Sequence, residues 1–226
     1  SFSHVDLSSV VNRGLKNRAH KGVKAWTDEG ANDMRNLPVG KRTFGMIRFD
    51  VIDPKKNDGK AALHISANPE RSEIKGVTIP VDSLTGKSVY FMHACGRNSR
   101  PHTTVGTYTV MYADGTEEIV EMRQNMEIGL WWGISDTADK RRGRPVVDRS
   151  QCRIAWNGAN GQWKNVGLFM TGWNNPHSDV PITGIHVEAA DTNRAKGDIL
   201  LTAISVSDHP VQFEERIRSG GLPDCW

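Results

Sequence analysis

Short runs in which apolar and polar residues alternate, each closed by a turn-forming cluster, follow one another along most of this chain. Such period-two runs predict strands. Thr43–Ile52 (TFGMIRFDVI) is rich in β-branched and aromatic residues and ends at the turn-forming PKKNDGK. Ala61–Ser66, Ile74–Val81 and Ser88–Ala94 follow at short spacing. Gly106–Met122 is the clearest unit, because TYTVMYA and TEEIVEM flank the pair Asp114-Gly115 and predict a tight hairpin there. With Cys152–Trp156, Val166–Trp173, Ile182–Glu188 and Ile199–Val206, the pattern gives roughly nine or ten strands, the arrangement of an all-β sandwich. No segment sustains i, i+3, i+4 apolar spacing over three turns, so any helices are expected to be short. Val5–Leu15 is expected to pair with the C-terminal strand and close the sandwich. Without a repeat or linker in sight, residues 1–209 read as a single β-sandwich domain and 210–226 as a C-terminal extension.

Composition narrows the class. At 226 residues the chain can bury a real core, and 37% hydrophobic with 24% charged residues is the balance of a globular protein. No stretch approaches the ~20 apolar residues of a membrane span, and no basic, apolar leader opens the chain, as expected of a mature or cytosolic form. A net charge of +3 is too mild to argue for nucleic acid. The densest basic run, Lys140, Arg141, Arg142 and Arg144, reads either as a solvated loop or as a site for a sulfated or uronic-acid glycan, whose groups match the arginine fork. Cys95, Cys152 and Cys225 form no C-x-x-C and no Cys/His cluster, which argues against zinc. They allow one disulfide and leave one thiol over, with no pair selected. Seven Trp against six Phe and three Tyr is the unusual feature.

The run WTDEGANDMRNLPVGKRTF from Trp26 to Phe44, followed by IRFDVIDP, resembles a pattern met in accessory domains of bacterial polysaccharide-degrading proteins. The likeness continues in order through IPV at Ile79, YFMHA at Tyr90, YTVMYADGT at Tyr108, the pair Trp131-Trp132, and WNNPHSDVPITGIHV at Trp173. It implies a jelly roll of the galactose-binding-like kind, a non-catalytic carbohydrate-binding module attached to a glycosidase or lyase and secreted, periplasmic or cell-surface. Modules of this kind often carry a structural calcium (Ca2+), so the resemblance extends that expectation here without naming a ligand.

The residues can be weighed beside the resemblance. A sugar offers an apolar face of axial C–H groups and an edge of hydroxyls, so its site needs an exposed flat ring and polar groups that donate and accept. Trp supplies the ring, with large contact area, few rotors and an N–H. Trp131 and Trp132 are adjacent, so in extended chain they point to opposite sides and at most one is core. Trp163 lies in the loop-forming NGANGQWKN. These three are the expected platforms. Trp26 and Trp156 read as core and Trp173 as a structural corner, while Trp226 says little. Arg97, Asn98 and His102, in the polar loop after Cys95, are the expected hydrogen-bonding partners, because consecutive loops cluster at the ends of a sandwich. Asp28, Glu29, Asn32 and Asp33 gather hard oxygen atoms beside Gly30, which suits either calcium or Asx turns. Asp53 with Asn57 and Asp58 is a weaker set.

An enzyme is the competing class. A glycosidase needs two carboxylates flanking the bond, and Glu117, Glu118 and Glu121 instead suit a solvent-facing hairpin edge. G-x-S-x-G, H-E-x-x-H, P-loop and G-x-G-x-x-G motifs are absent. A jelly-roll polysaccharide lyase acting on an acidic glycan is the main alternative, with Tyr90, His93, Arg97, Tyr108 and His177 as groups the fold would have to bring together. A protein-interaction module using the same Trp as hot spots is the third.

Overall fold

The computed structural model describes residues 1–27, 29–134 and 152–213. The chain folds as an antiparallel β-sandwich. Its strands are β1 (Phe2–His4), β2 (Gly40–Phe44), β3 (Ile47–Val51), β4 (Leu63–Ser66), β5 (Gly76–Leu84), β6 (Ser88–Cys95), β7 (Thr104–Tyr112), β8 (Glu117–Arg123), β9 (Cys152–Gly158), β10 (Val166–Asn174), β11 (Ile182–Ala189) and β12 (Asp198–Ser207). One sheet runs β1-β12-β6-β10-β9, with β4 sharing the outer edge of β12. The facing sheet runs β5-β11-β7-β8, and β2 and β3 form a separate hairpin. Apart from Thr43–Ile52, the expected strands form within a few residues of their predicted bounds. The Asp114-Gly115 hairpin closes as predicted, with Gly115 at φ +85° and the Tyr112 amide donating to the Thr116 carbonyl at 3.0 Å.

Two expectations need correction. Thr43–Ile52 is not one strand but the inner part of a hairpin, turning at Gly45 with φ +60°, a conformation glycine adopts without strain. The strand that closes the sheet on β12 is Phe2–His4, paired with Ser205–Ser207; from Val5–Leu15 the Val5 amide alone continues the ladder, to Ile204. Val5, Leu7 and Val11 instead plug the core.

The middle of the larger sheet is buried on both sides. Every residue of β6 and β12 is buried, which a half-solvated strand never shows. Val89, Phe91, Ile199, Leu201 and Ile204 pack toward Tyr108, Val110, Ile185 and Val187 of the facing sheet. Tyr90, Met92, Leu200 and Ala203 pack the other way, under Phe49, Trp26 and Trp131. Between Leu201 and Ala203 the register of β12 on β6 slips, a bulge at Thr202 that lets Leu201 and Ile204 serve the same core. The molecule is thus layered: a four-stranded sheet, a six-stranded sheet, then a cover made of the β2–β3 hairpin and the N-terminal turns. After β12 the chain returns, Gln212 donating its amide to the Tyr90 hydroxyl and Phe213 packing edge-on against that ring. Lys140, Arg141, Arg142, Arg144, Cys225 and Trp226 lie outside the described residues. Cys95 and Cys152 are both buried.

Candidate functional site

At the end of the six-stranded sheet where β6 and β9 finish and β10 begins, the segment from Leu130 is held on both sides. The Trp131 amide donates to Cys95 (3.0 Å) and its carbonyl accepts from Gly167 (2.9 Å), while Trp132 bridges to Val166. Alternation along this extended piece sends the neighbouring indoles to opposite sides. Trp131 goes inward. It is 4% exposed and meets Trp26 edge-to-face at 5.7 Å, so it is core and offers no face to a ligand, which corrects its expected place among the platforms. Trp132 goes outward, half-buried, and meets Trp163 edge-to-face at 4.9 Å and 86°. Trp163 is 44% exposed, and among the described residues only Met46 and Ile119 are comparably exposed large apolar side chains.

The loop that carries Trp163 is fixed by one of the residues that mark it as a loop in the sequence. Asn160 accepts with Oδ1 from the amides of Gln162 and Trp163, both at 2.8 Å, and donates with Nδ2 to Asn32 Oδ1 (3.0 Å) and the Asp33 carbonyl (3.1 Å). The signal was available, since an Asn two residues before Gln162 has the spacing of an Asx turn, which leads straight into Trp163. Gly161 packs so tightly on the same turn that a Cβ would lie 2.4 Å from that of Ala31. The exposed Trp163 is therefore set on a backbone that these contacts fix.

Arg97, Asn98 and His102 are exposed in the loop after β6, which leaves the sheet at this same end. His102 sits at φ 64° and its amide donates to the Gln124 carbonyl. Among the described residues no hydrogen bond joins these side chains to either outer Trp; what they share is the rim. The root of that loop is clamped by a group the sequence did not flag. Burial pushes the Asp198 carboxyl up, yet hydrogen bonds from His64 (2.9 Å) and Arg71 hold it below its ordinary range. A Cβ on Gly96 would lie 2.2 Å from Asp198 Oδ1, so only glycine fits where the loop departs.

The groups named for a lyase are scattered, with one exception. His93 and Tyr108 meet at 2.8 Å, but both are 0% exposed inside the sandwich. His93 Nε2 lies 3.1 Å from the Glu127 carbonyl, which can only accept, so Nε2 carries the proton and Nδ1 accepts from the Tyr108 hydroxyl. Burial pushes His93 down to about 3 and raises Tyr108 well above its usual value. The pair is a closed structural hydrogen-bond unit with no path to a polymer. Tyr90 faces the opposite core, and His177 pairs with Glu118 (3.0 Å) beside Tyr112. Of the acidic set near Gly30, Asp28 lies outside the described residues. Asp33 accepts from Asn17 and Arg35, and Glu29 from Asn32, so these oxygens brace the turn. Asp53 caps the 3-10 turn Pro54–Lys56. Among the described residues no three His, Cys, Asp or Glu side chains gather as a metal would require.

Comparison with family models, with curated proteins and with solved structures yields no match to this chain.

Proposed function

We propose that this chain is a non-catalytic carbohydrate-binding module that holds a polysaccharide at the end of its six-stranded sheet, working beside a glycosidase or lyase outside the cytoplasm. The observation that carries this reading is the edge-to-face pair of half-buried Trp132 and exposed Trp163, the latter seated on a loop already ordered by Asn160. An indole left in water costs stability, and a rigid one spends no ordering entropy when a ligand arrives. Rings at 86° cannot form one flat platform. They form a floor and a wall, which suits a single pyranose ring of a soluble chain better than a crystalline face. Arg97, Asn98 and His102 supply donors and acceptors for hydroxyls from the neighbouring loop, and Gln162 extends the polar rim.

The test is affinity electrophoresis and tryptophan fluorescence against a panel of soluble neutral and acidic polysaccharides. Binding is expected, with neither new reducing ends nor the ultraviolet absorbance of an unsaturated uronic product, and Trp163→Ala is expected to lose it. Product formation, or full binding by Trp163→Ala and Trp132→Ala together, would overturn the proposal.

A further inference from the structure

The two most basic described loops of the chain are packed against each other beside the tryptophan corner. Residues 16–24 carry Lys16, Arg18, Lys21 and Lys24, and residues 54–60 carry Lys55, Lys56 and Lys60. Asp58 is the one carboxylate in these segments, so together they hold a net +6 against +3 for the whole chain, and the remainder of the protein is net negative. The two loops are one surface. The His20 ring lies on Gly59, where a Cβ would meet it at 2.5 Å, and Gly14 backs onto the Gly59 carbonyl while its amide donates to Lys24 at 2.9 Å. All seven cations are exposed, and none forms an ion pair among the described residues, whereas Arg13, Arg35, Arg71 and Arg123 all do.

This surface adjoins the aromatic corner through a single turn. Asn17 donates its amide to Asp33 and its side chain to the Gly30 carbonyl, both at 2.9 Å. On the far side of the same turn, Gly161 donates to Ala31 (3.1 Å) and Asn160 to Asn32 and Asp33. From Trp163 to Lys16 the path therefore crosses only residues 29–34.

We infer that the ligand is an anionic polysaccharide, sulfated or uronic-acid bearing, which runs from the Trp132–Trp163 corner across the 29–34 turn onto the cationic surface of residues 16–24 and 54–60. This rests on the corner binding a glycan as proposed above. Six of the seven cations are Lys, compact charges on flexible stems that suit sulfates or carboxylates spaced along a mobile chain. The patch holds a single ring, His20, which lies against Gly59, so it offers no row of stacking platforms for successive bases, which favours a glycan over single-stranded nucleic acid.

The experiment measures binding of the full chain to dextran sulfate, polygalacturonate, uncharged dextran and poly(dT) over a salt series. The variants are Lys16→Gln/Lys21→Gln/Lys24→Gln, Lys55→Gln/Lys56→Gln/Lys60→Gln and Trp163→Ala, with thermal melts confirming that each is folded. The anionic glycans are expected to bind more tightly than dextran, with log affinity falling linearly in log salt as counterions are released. Each triple variant is expected to lose about tenfold or more at low salt. Triple variants that bind dextran sulfate like the parent would overturn the inference while leaving the corner reading intact. Loss in the triple variants with Trp163→Ala unaffected would overturn the corner and the continuous path, leaving a polyanion surface alone. Tighter binding of poly(dT), lost in the same variants, would overturn the glycan assignment.

Discussion

Trp26–Trp131 and Trp132–Trp163 are both edge-to-face pairs, at 80° and 86°, and one peptide bond joins them. The inner pair lies under the N-terminal turns with His64 against Trp26 at 4.9 Å, and its value is packing. In the outer pair Trp132 is half-buried and Trp163 is 44% exposed, on a loop that Asn160 orders. The same aromatic geometry thus serves stability or recognition according to which side of an extended segment each ring occupies. The surroundings, more than the ring contact, decide its role.

The strongest way to break the comparison is to remove one ring from each pair. Trp131→Ala is expected to cost roughly 3–5 kcal/mol by opening a core cavity, seen as a Tm lowered by about 10 °C. A Trp131→Ala protein as stable as the parent would place that ring outside the core. Acid tests the polar part of the interior next. Because burial holds His93 near 3, the folded state takes up fewer protons than the unfolded one. Stability from this group is then complete above the ordinary pKa of 6.5 and lost as pH falls toward 3, about 3 kcal/mol by pH 4. His93→Gln removes the titration, so its melting temperature is expected to vary less between pH 6.5 and pH 4; an unchanged slope would assign the acid loss to other groups. Asn160→Ala probes the link between the two regions. Four hydrogen bonds vanish, two of them loop-to-turn, for roughly 1–2 kcal/mol, and glycan affinity is expected to fall with Trp163 untouched in sequence. The smallest stability effect belongs to Trp163→Ala, expected within about 0.5 kcal/mol of the parent by chemical denaturation. A large loss there would mean the outer pair is structural after all.

Much of the sandwich was legible because alternation, β-branched content and turn residues agree along most of the chain. Gly45-Met46 escaped because a turn made of glycine and an apolar residue interrupts no hydrophobic run. The double burial of β6 was written in SVYFMHAC, whose apolar residues hardly alternate, but what covers the second face is a matter of distant segments. For Trp131 and Trp132, the opposition of the rings follows from adjacency alone. Which one turns inward depends on the bonds to Cys95 and Gly167, more than thirty residues away in sequence. The loop position of Trp163 was readable from its Asn and Gly neighbours. The meeting of His93 with Tyr108 was not, since side chains from different sheets share no local spacing. The cationic surface was hidden for the same reason, each loop being an ordinary polar stretch until Gly59 and His20 bring the two together.

With cover on both faces, β6 and β12 have amides that meet solvent only when the whole sandwich opens, so deuterium enters them last. The exposed 159–165 loop, at the rim, is expected to exchange sooner. Occupancy of the tryptophan corner would then be read as local protection at one rim while the slowest amides keep their rates, a way to locate the ligand without knowing which sugar it is.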